Sequence, residues 1–213
     1  RAHKKFSMIQ ENILWHTITE GQDSHFLGYD TLTSDAEIRK ISKNNEHTIL
    51  ILNQTPFYAE SGGQIGDTGV ICVDEHQLIV ENTIYESGSS IMHICKGHID
   101  DDLLENQVEC IVDKNRRHAI RSNHTATHLL HSALKTLLGD HVHQAGSLVS
   151  PDYLRFDLTH NNKINSSQLM KIEYLVNEVI LNNNPLTVEV KPFETARKEG
   201  VEALFGEKYS DEV

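Results

Sequence analysis

Residues 108–139 read VECIVDKNRRHAIRSNHTATHLLHSALKTLLG, and the division of the whole chain turns on them. The first five, Val108–Val112, form a short aliphatic run of the kind that makes a strand. Asp113 then offers the side chain of a helix N-cap, and no Gly or Pro interrupts residues 114–138. Gly139 suits the left-handed position that closes a helix. The spacing predicts a strand that ends at Val112, a helix over 114–138, and a domain boundary between them: 1–112 and 113–213.

Upstream, short β-branched or aliphatic runs at 48–52, 69–73, 77–80, 91–94 and 108–112 alternate with turn signals. This predicts an antiparallel all-β unit, a small barrel. Residues 35–41 fit either a short helix or one more strand. Downstream, GDHVHQAGSLVSPDYLRFDLTH reads as two strands around the turn Ser150-Pro151-Asp152. A second helix is predicted over 167–182, from Leu169, Ile172, Leu175, Val176, Val179 and Ile180, with a capping box from Asn165 and Gln168. Residues 186–190 alternate as a strand, and 193–199 form a short helix closed by Gly200. The fold class is therefore α+β: an N-terminal all-β small barrel followed by an α+β domain.

Apolar residues make up 38% of the 213, enough for real cores because they are well patterned. The apolar runs are too short to span a membrane, and the basic start, residues 1–5, lacks the apolar run of a signal peptide. Cys72, Cys95 and Cys110 are widely spaced and odd in number, which points to a reducing, cytoplasmic setting rather than a disulfide framework. The first residue is not Met, so a piece of a longer protein is expected. A net charge of −12 argues against broad, charge-driven nucleic-acid binding. Lys114, Arg116, Arg117 and Arg121 nevertheless fall within eight residues. They are either a phosphate-contacting patch or a solvated helix start.

On a helical wheel Ala126, Leu129, Leu130, Ala133, Leu134 and Leu137 mark one side as buried. His124, His128 and His131 fall opposite, so they either face water or line a cleft. His124 and His128 stand at i and i+4, where two imidazoles can share one cation at roughly 2.0–2.1 Å each. A zinc peptidase would carry Glu at position 125, and this chain has Thr125. Zinc needs three or four protein ligands, so the helix alone supplies half a site. His93, Cys95 and His98 are a second conceivable set, or incidental residues of a hairpin.

The segment TPFYAESGGQIGDTGVI, 55–71, holds four glycines between Gly62 and Gly69. It is neither a Walker loop nor a dinucleotide fingerprint. Gly-Gly permits either a tight turn or close approach by a partner. The polar set around it is Tyr58, Glu60, Ser61, Gln64 and Asp67.

FYAESGGQIGDTG, together with RSNHTATHLLHSALKTLLGDHVHQAGSLVSPDYLRFDLTH and the terminal GVEALFGEKYSDEV, closely resembles bacterial-type alanyl-tRNA synthetases. The resemblance runs from about residue 13 to 213. It implies a β-barrel followed by the editing domain shared with threonyl-tRNA synthetases and free-standing alanyl-tRNA deacylases, which hydrolyses Ser-tRNA(Ala) or Gly-tRNA(Ala). By the same resemblance His124 and His128 are zinc ligands and Gln144 is a pocket position that influences the editing reaction; with it Thr125 is a catalytic candidate, and Gly62, Gly63 and Gln64, with the polar set around them, are candidates for an editing-site lid over the histidine face. Lys114, Arg116, Arg117 and Arg121 then become contacts to the acceptor end of tRNA(Ala). The family's other zinc ligands come from a Cys-x-x-x-His this chain lacks. ATP and Mg2+ belong to an aminoacylation domain that it also lacks, as it does the oligomerisation region. The resemblance thus implies an internal piece of a synthetase, truncated within its editing domain, with weak or no activity by itself. The alternatives are a non-catalytic tRNA-docking scaffold and a free-standing deacylase.

Overall fold

The computed structural model describes residues 13–44, 46–86, 89–185, 187 and 189–201. The basic start at 1–5 and the terminal motif at 202–213 lie outside the described residues. Internal contacts divide the chain into two units, Arg1–Ala119 and Ile120–Val213.

The first unit is built from β1 (His16–Thr17), β2 (His25–Phe26), β3 (Thr33–Ala36), β4 (Ile38–Lys43), β5 (Thr48–Leu52), β6 (Gln54–Thr55), β7 (Gly69–Val73), β8 (His76–Tyr85), β9 (Ile91–Lys96) and β10 (Val108–Val112). Eight of these form one sheet in the order β1-β4-β5-β9-β8-β7-β10-β3, antiparallel throughout. β3 pairs with β10 and β4 with β5, yet Glu37 alone separates β3 from β4. One bent strand therefore runs from the β3 edge of the sheet to β4, next to the opposite edge strand β1, and the sheet curls into a small barrel. Asn53 secures the bend: its Oδ1 accepts from the Glu37 amide at 2.8 Å, and its own amide donates to the Glu37 carbonyl at 3.0 Å. The ambiguous stretch 35–41 is thus strand on both sides of that bend.

Alternation fills the barrel. Ile38, Ile41, Leu50, Leu52, Phe57, Ile71, Val73, Leu78, Val80 and Val108 share one core. Each large aliphatic group so buried contributes roughly 1.5–3 kcal/mol. β5 is buried on both faces, because Ile49 and Ile51 pack outside the barrel with Met92, Ile84 and Trp15. All three cysteines are free, and burial pushes the Cys110 thiol up to about 12, which leaves it an unreactive apolar group.

Helix α1 (Lys114–Leu138) starts where the sequence places it: the Arg116 amide donates to Asp113 Oδ1 at 3.0 Å, and Gly139 follows with φ 113°. The division of contacts falls after Ala119, within α1, where the sequence places a boundary at 112/113. The first turns of α1 belong with the barrel because Arg117 is buried there.

In the second unit the remainder of α1 packs on the hairpin β11 (Gln144–Val149) and β12 (Leu154–Leu158) and on α2 (Ser166–Asn182). Ala133, Leu134, Val142 and Ile172 form the centre, with Leu130, Phe156 and Leu158 around them. Both bonds of the capping box are present, Gln168 N to Asn165 Oδ1 and Asn165 N to Gln168 Oε1, each 3.0 Å. A short α3 (Phe193–Lys198) precedes Gly200. Residues 186 and 188, part of the strand expected over 186–190, lie outside the described residues; Thr187, Glu189 and Val190 are not strand. Those three side chains are exposed, so none of them is buried against a sheet face. Among the described residues no helix is long and apolar enough to cross a membrane.

Candidate functional site

The i, i+4 spacing sets the His124 and His128 rings nearly parallel, at 17°, with centroids 5.2 Å apart. His124 is half-buried; His128 and Thr125 are exposed. Just before them, Asn123 ties the helix to the hairpin turn by donating from Nδ2 to the carbonyls of Ser150 (2.8 Å) and Pro151 (3.2 Å). The two imidazoles fit two positions of a tetrahedral zinc site, since rotation of exposed His128 can bring both nitrogens onto one ion. Among the described residues no group of three or more His, Cys, Asp or Glu side chains is placed to hold a metal.

His131 does not share this open face. It is buried, its ring centroid 5.1 Å from that of Phe156 on β12. The wheel misplaces it because the hairpin covers the side that a count of aliphatic residues leaves open; Thr127 and Ile120 are buried along the same stripe.

Gln144 opens β11. It pairs with Leu158, a bulge intervenes, and Ser147 then pairs with Phe156. The bulge keeps Gln144 and Ser147 on the side of the hairpin that carries Phe156 and Leu158, the side packed on α1. Gln144 Nε2 donates to Ser147 Oγ at 3.2 Å, which orients its carboxamide. At the same end of the hairpin, His141 Nε2 and His160 Nδ1 lie 2.9 Å apart.

The glycine-rich segment belongs to the first unit. Gly62 (φ 57°) and Gly63 (φ 81°) form the exposed tip of a turn closed by Ser61 N to Gln64 O (3.1 Å) and Gln64 N to Ser61 O (2.9 Å), and Gln64 is buried. Asp67, also buried, accepts from the Tyr58 amide at 2.8 Å and from the Arg117 guanidinium.

Of the four basic candidates, Lys114 and Arg121 are exposed, and half-buried Arg116 donates to the Gly66 carbonyl at 2.8 Å. Arg117 must be corrected. It is 5% exposed, its Nε lies 3.0 and 2.9 Å from the two Asp67 oxygens, and it donates to the carbonyls of Gly28 and Pro56 at 2.8 Å each. A guanidinium so buried, with four of its five N–H groups engaged, is a structural clamp rather than a phosphate contact. Its acceptors lie 50 to 89 residues away in sequence, so spacing along the helix gives no sign of them.

The second metal set is also dispersed. His93 is fully buried, with Nε2 2.8 Å from Thr55 Oγ1 and Nδ1 3.1 Å from the Leu50 carbonyl. Burial lowers its pKa to about 4, the Leu50 bond opposing, so the ring is neutral at pH 7. Cys95 is buried while His98 is exposed. Asn123 is the neighbour of His124 that sequence reading passes over. Its only signal is an amide one residue ahead of His124, and its acceptors are backbone carbonyls that no motif encodes.

A family model for class II tRNA synthetases (A) matches residues 1–116. Three relatives named alanine–tRNA ligase are similar over nearly the whole chain. That of Rhodopseudomonas palustris is 42% identical over 210 residues, covering 94% of this chain and 24% of the relative. The Nitrobacter winogradskyi protein is 42% identical over 212 residues, with the same coverage of 94% and 24%. The Orientia tsutsugamushi protein is 41% identical over 223 positions, covering 96% and 25%. The chain spans about a quarter of the length of these curated relatives. With the family model covering more than half its length, the chain belongs to the class II tRNA synthetases (A).

Proposed function

We propose that this chain serves an alanine–tRNA ligase as the module that hydrolyses the ester of tRNA(Ala) mischarged with serine or glycine. The observation that carries the reading is the His124–His128 pair, one turn apart on a helix whose neighbouring hairpin presents Gln144. The likeness to alanine–tRNA ligases supports it. In that reading the parent protein attaches alanine to tRNA(Ala) with ATP and Mg2+.

Discrimination explains the need. A pocket that accepts alanine rejects glycine by only about 1–3 kcal/mol, the worth of one methylene, and rejects an added hydroxyl little better. A second, hydrolytic site supplies the rest. Aminoacyl esters are activated, so a held substrate, a positioned water and donors for the oxyanion suffice. Gln144, oriented by Ser147, supplies an amide donor at the reacting carbonyl. Thr125, exposed beside the histidines, holds the water. Lys114 and Arg121, with Arg116, contact the acceptor-end phosphates. His124 and His128 would hold zinc, which when bound supplies positive charge beside the ester.

Zinc titration tests the metal part. Two described ligands predict weak or absent zinc binding by these residues alone, with what binding there is lost in His124→Ala/His128→Ala. Tight one-to-one zinc that survives the double substitution refutes the assignment.

A second reading, an RNA-docking module without chemistry, is favoured by the exposure of Lys114 and Arg121. It predicts salt-dependent tRNA binding with no hydrolysis.

A further inference from the structure

Gln144 is the first residue of β11, and α1 has already ended at Leu138, so something other than the helix must hold this strand end in place. Bonds close that end of the hairpin in succession. Within the ladder Gln144 stands opposite Leu158. Thr159 comes next: its amide donates to the His143 carbonyl at 3.0 Å, and its Oγ1 accepts from the His143 amide at 3.0 Å and donates to the His141 carbonyl at 2.9 Å. Outermost, His141 Nε2 meets His160 Nδ1 at 2.9 Å. Val142, between the two histidines of the incoming segment, is fully buried with Ala133, Leu134 and Ile172.

The His141 and His160 rings touch end to end. Their centroids lie 5.2 Å apart and their planes are 26° from parallel. At an N···N distance of 2.9 Å this is close to the greatest centroid separation two imidazoles can have, so the nitrogens point at each other in nearly coplanar rings. Such geometry is that of an N–H···N bond, with one ring donating and the other accepting. The end of α1 leaves space for it: a Cβ on Gly139, at φ 113°, would lie 3.2 Å from His141 Nδ1 and crowd the ring. His141 is exposed and His160 half-buried, so the pair ties the chain from outside the core.

We infer that His141 and His160 are positioning residues for Gln144. Their bond, passed on through Thr159 and the Gln144–Leu158 pair, fixes the strand end from which the Gln144 carboxamide reaches the ester. This rests on the proposal that Gln144 is a donor in an editing pocket, and the histidines act through the strand rather than on the substrate.

The test is a double-mutant cycle on Ser-tRNA(Ala) hydrolysis, in an alanine–tRNA ligase whose matching region is exchanged for this chain. His141→Phe keeps a flat ring and removes the bond. It should lower kcat by about ten- to a hundredfold, the cost of a displaced catalytic group, with KM held. His141→Gln returns an amide nitrogen near the place of Nε2 and should restore most of the rate, as should His160→Asn, whose amide stands near the place of Nδ1. In a Gln144→Ala background His141→Phe should have no further effect, whereas a general loss of stability would lower both backgrounds alike. Hydrogen exchange in this chain gives a readout without activity: His141→Phe should speed exchange at residues 142–144 and leave α2 unchanged. A full rate for His141→Phe beside a slow Gln144→Ala overturns the positioning role and leaves the editing proposal standing. Additive losses, unchanged exchange at 142–144, or faster exchange throughout the second unit overturn it as well. No hydrolysis of Ser-tRNA(Ala) by the unsubstituted chimera overturns both.

Discussion

Arg117→Ala is the substitution whose consequence the structure fixes most closely. The guanidinium and the Asp67 carboxylate are 6% and 1% exposed, and the pair is surrounded by backbone acceptors. Removing Arg117 leaves Asp67 buried with only the Tyr58 amide as a described donor, and strips Gly28 and Pro56 of theirs. Breaking one side of a buried pair costs about 3–5 kcal/mol, and each abandoned buried carbonyl has a penalty of about 1–3 kcal/mol; the terms overlap and do not add. A loss of about 3–5 kcal/mol is expected, against about 5–15 kcal/mol for a typical domain. Arg117→Lys keeps the charge but not the planar fork, so it should recover only part. Urea unfolding followed by fluorescence reports directly on this unit, since Trp15, the single tryptophan, packs on Ile49, Ile51 and Met92 and bonds to Glu86. A stability change below about 1 kcal/mol together with weakened RNA binding would refute the clamp and return Arg117 to the phosphate contacts.

Acid should weaken the barrel through His93. Its pKa is about 4 folded against the ordinary 6.5, so the unfolded chain binds the extra proton between these values and stability falls as pH drops from 6.5 to 4. The loss is roughly 3 kcal/mol at most, and His93→Gln should flatten that part of the Trp15 stability–pH curve; an unchanged slope would contradict the assignment. Gly66→Ala should destabilise by about 1–3 kcal/mol or more. Its Cβ would sit 2.0 Å from the Thr83 carbonyl, and the strand end must move to admit it. Equal unfolding midpoints would show that the strand yields freely.

Local chemistry in the sequence predicts much of this fold. Asp113, Gly139 and the uninterrupted run between them delimit α1, and Asn165 with Gln168 starts α2, because caps act over three or four residues. Residues 35–41 stay ambiguous in sequence because their strand is defined by partners on both sides, β10 and β5, and by a bend at Glu37 held by Asn53. The site divides in the same way. The spacing of His124 and His128 is a helical property and is legible. The burial of His131 under Phe156 and of Arg117 against Asp67 depends on which surfaces meet, and the wheel of a single helix does not contain it.

The central claim is hydrolysis of mischarged tRNA, and its most direct test is the deacylation rate of Ser-tRNA(Ala) beside Ala-tRNA(Ala). The measurement is made in an alanine–tRNA ligase whose matching region is exchanged for this chain. The account predicts that Ser-tRNA(Ala) is cleared while Ala-tRNA(Ala) is spared, and that His124→Ala/His128→Ala slows clearance by about a hundredfold or more. Undiminished clearance by the double variant would contradict it.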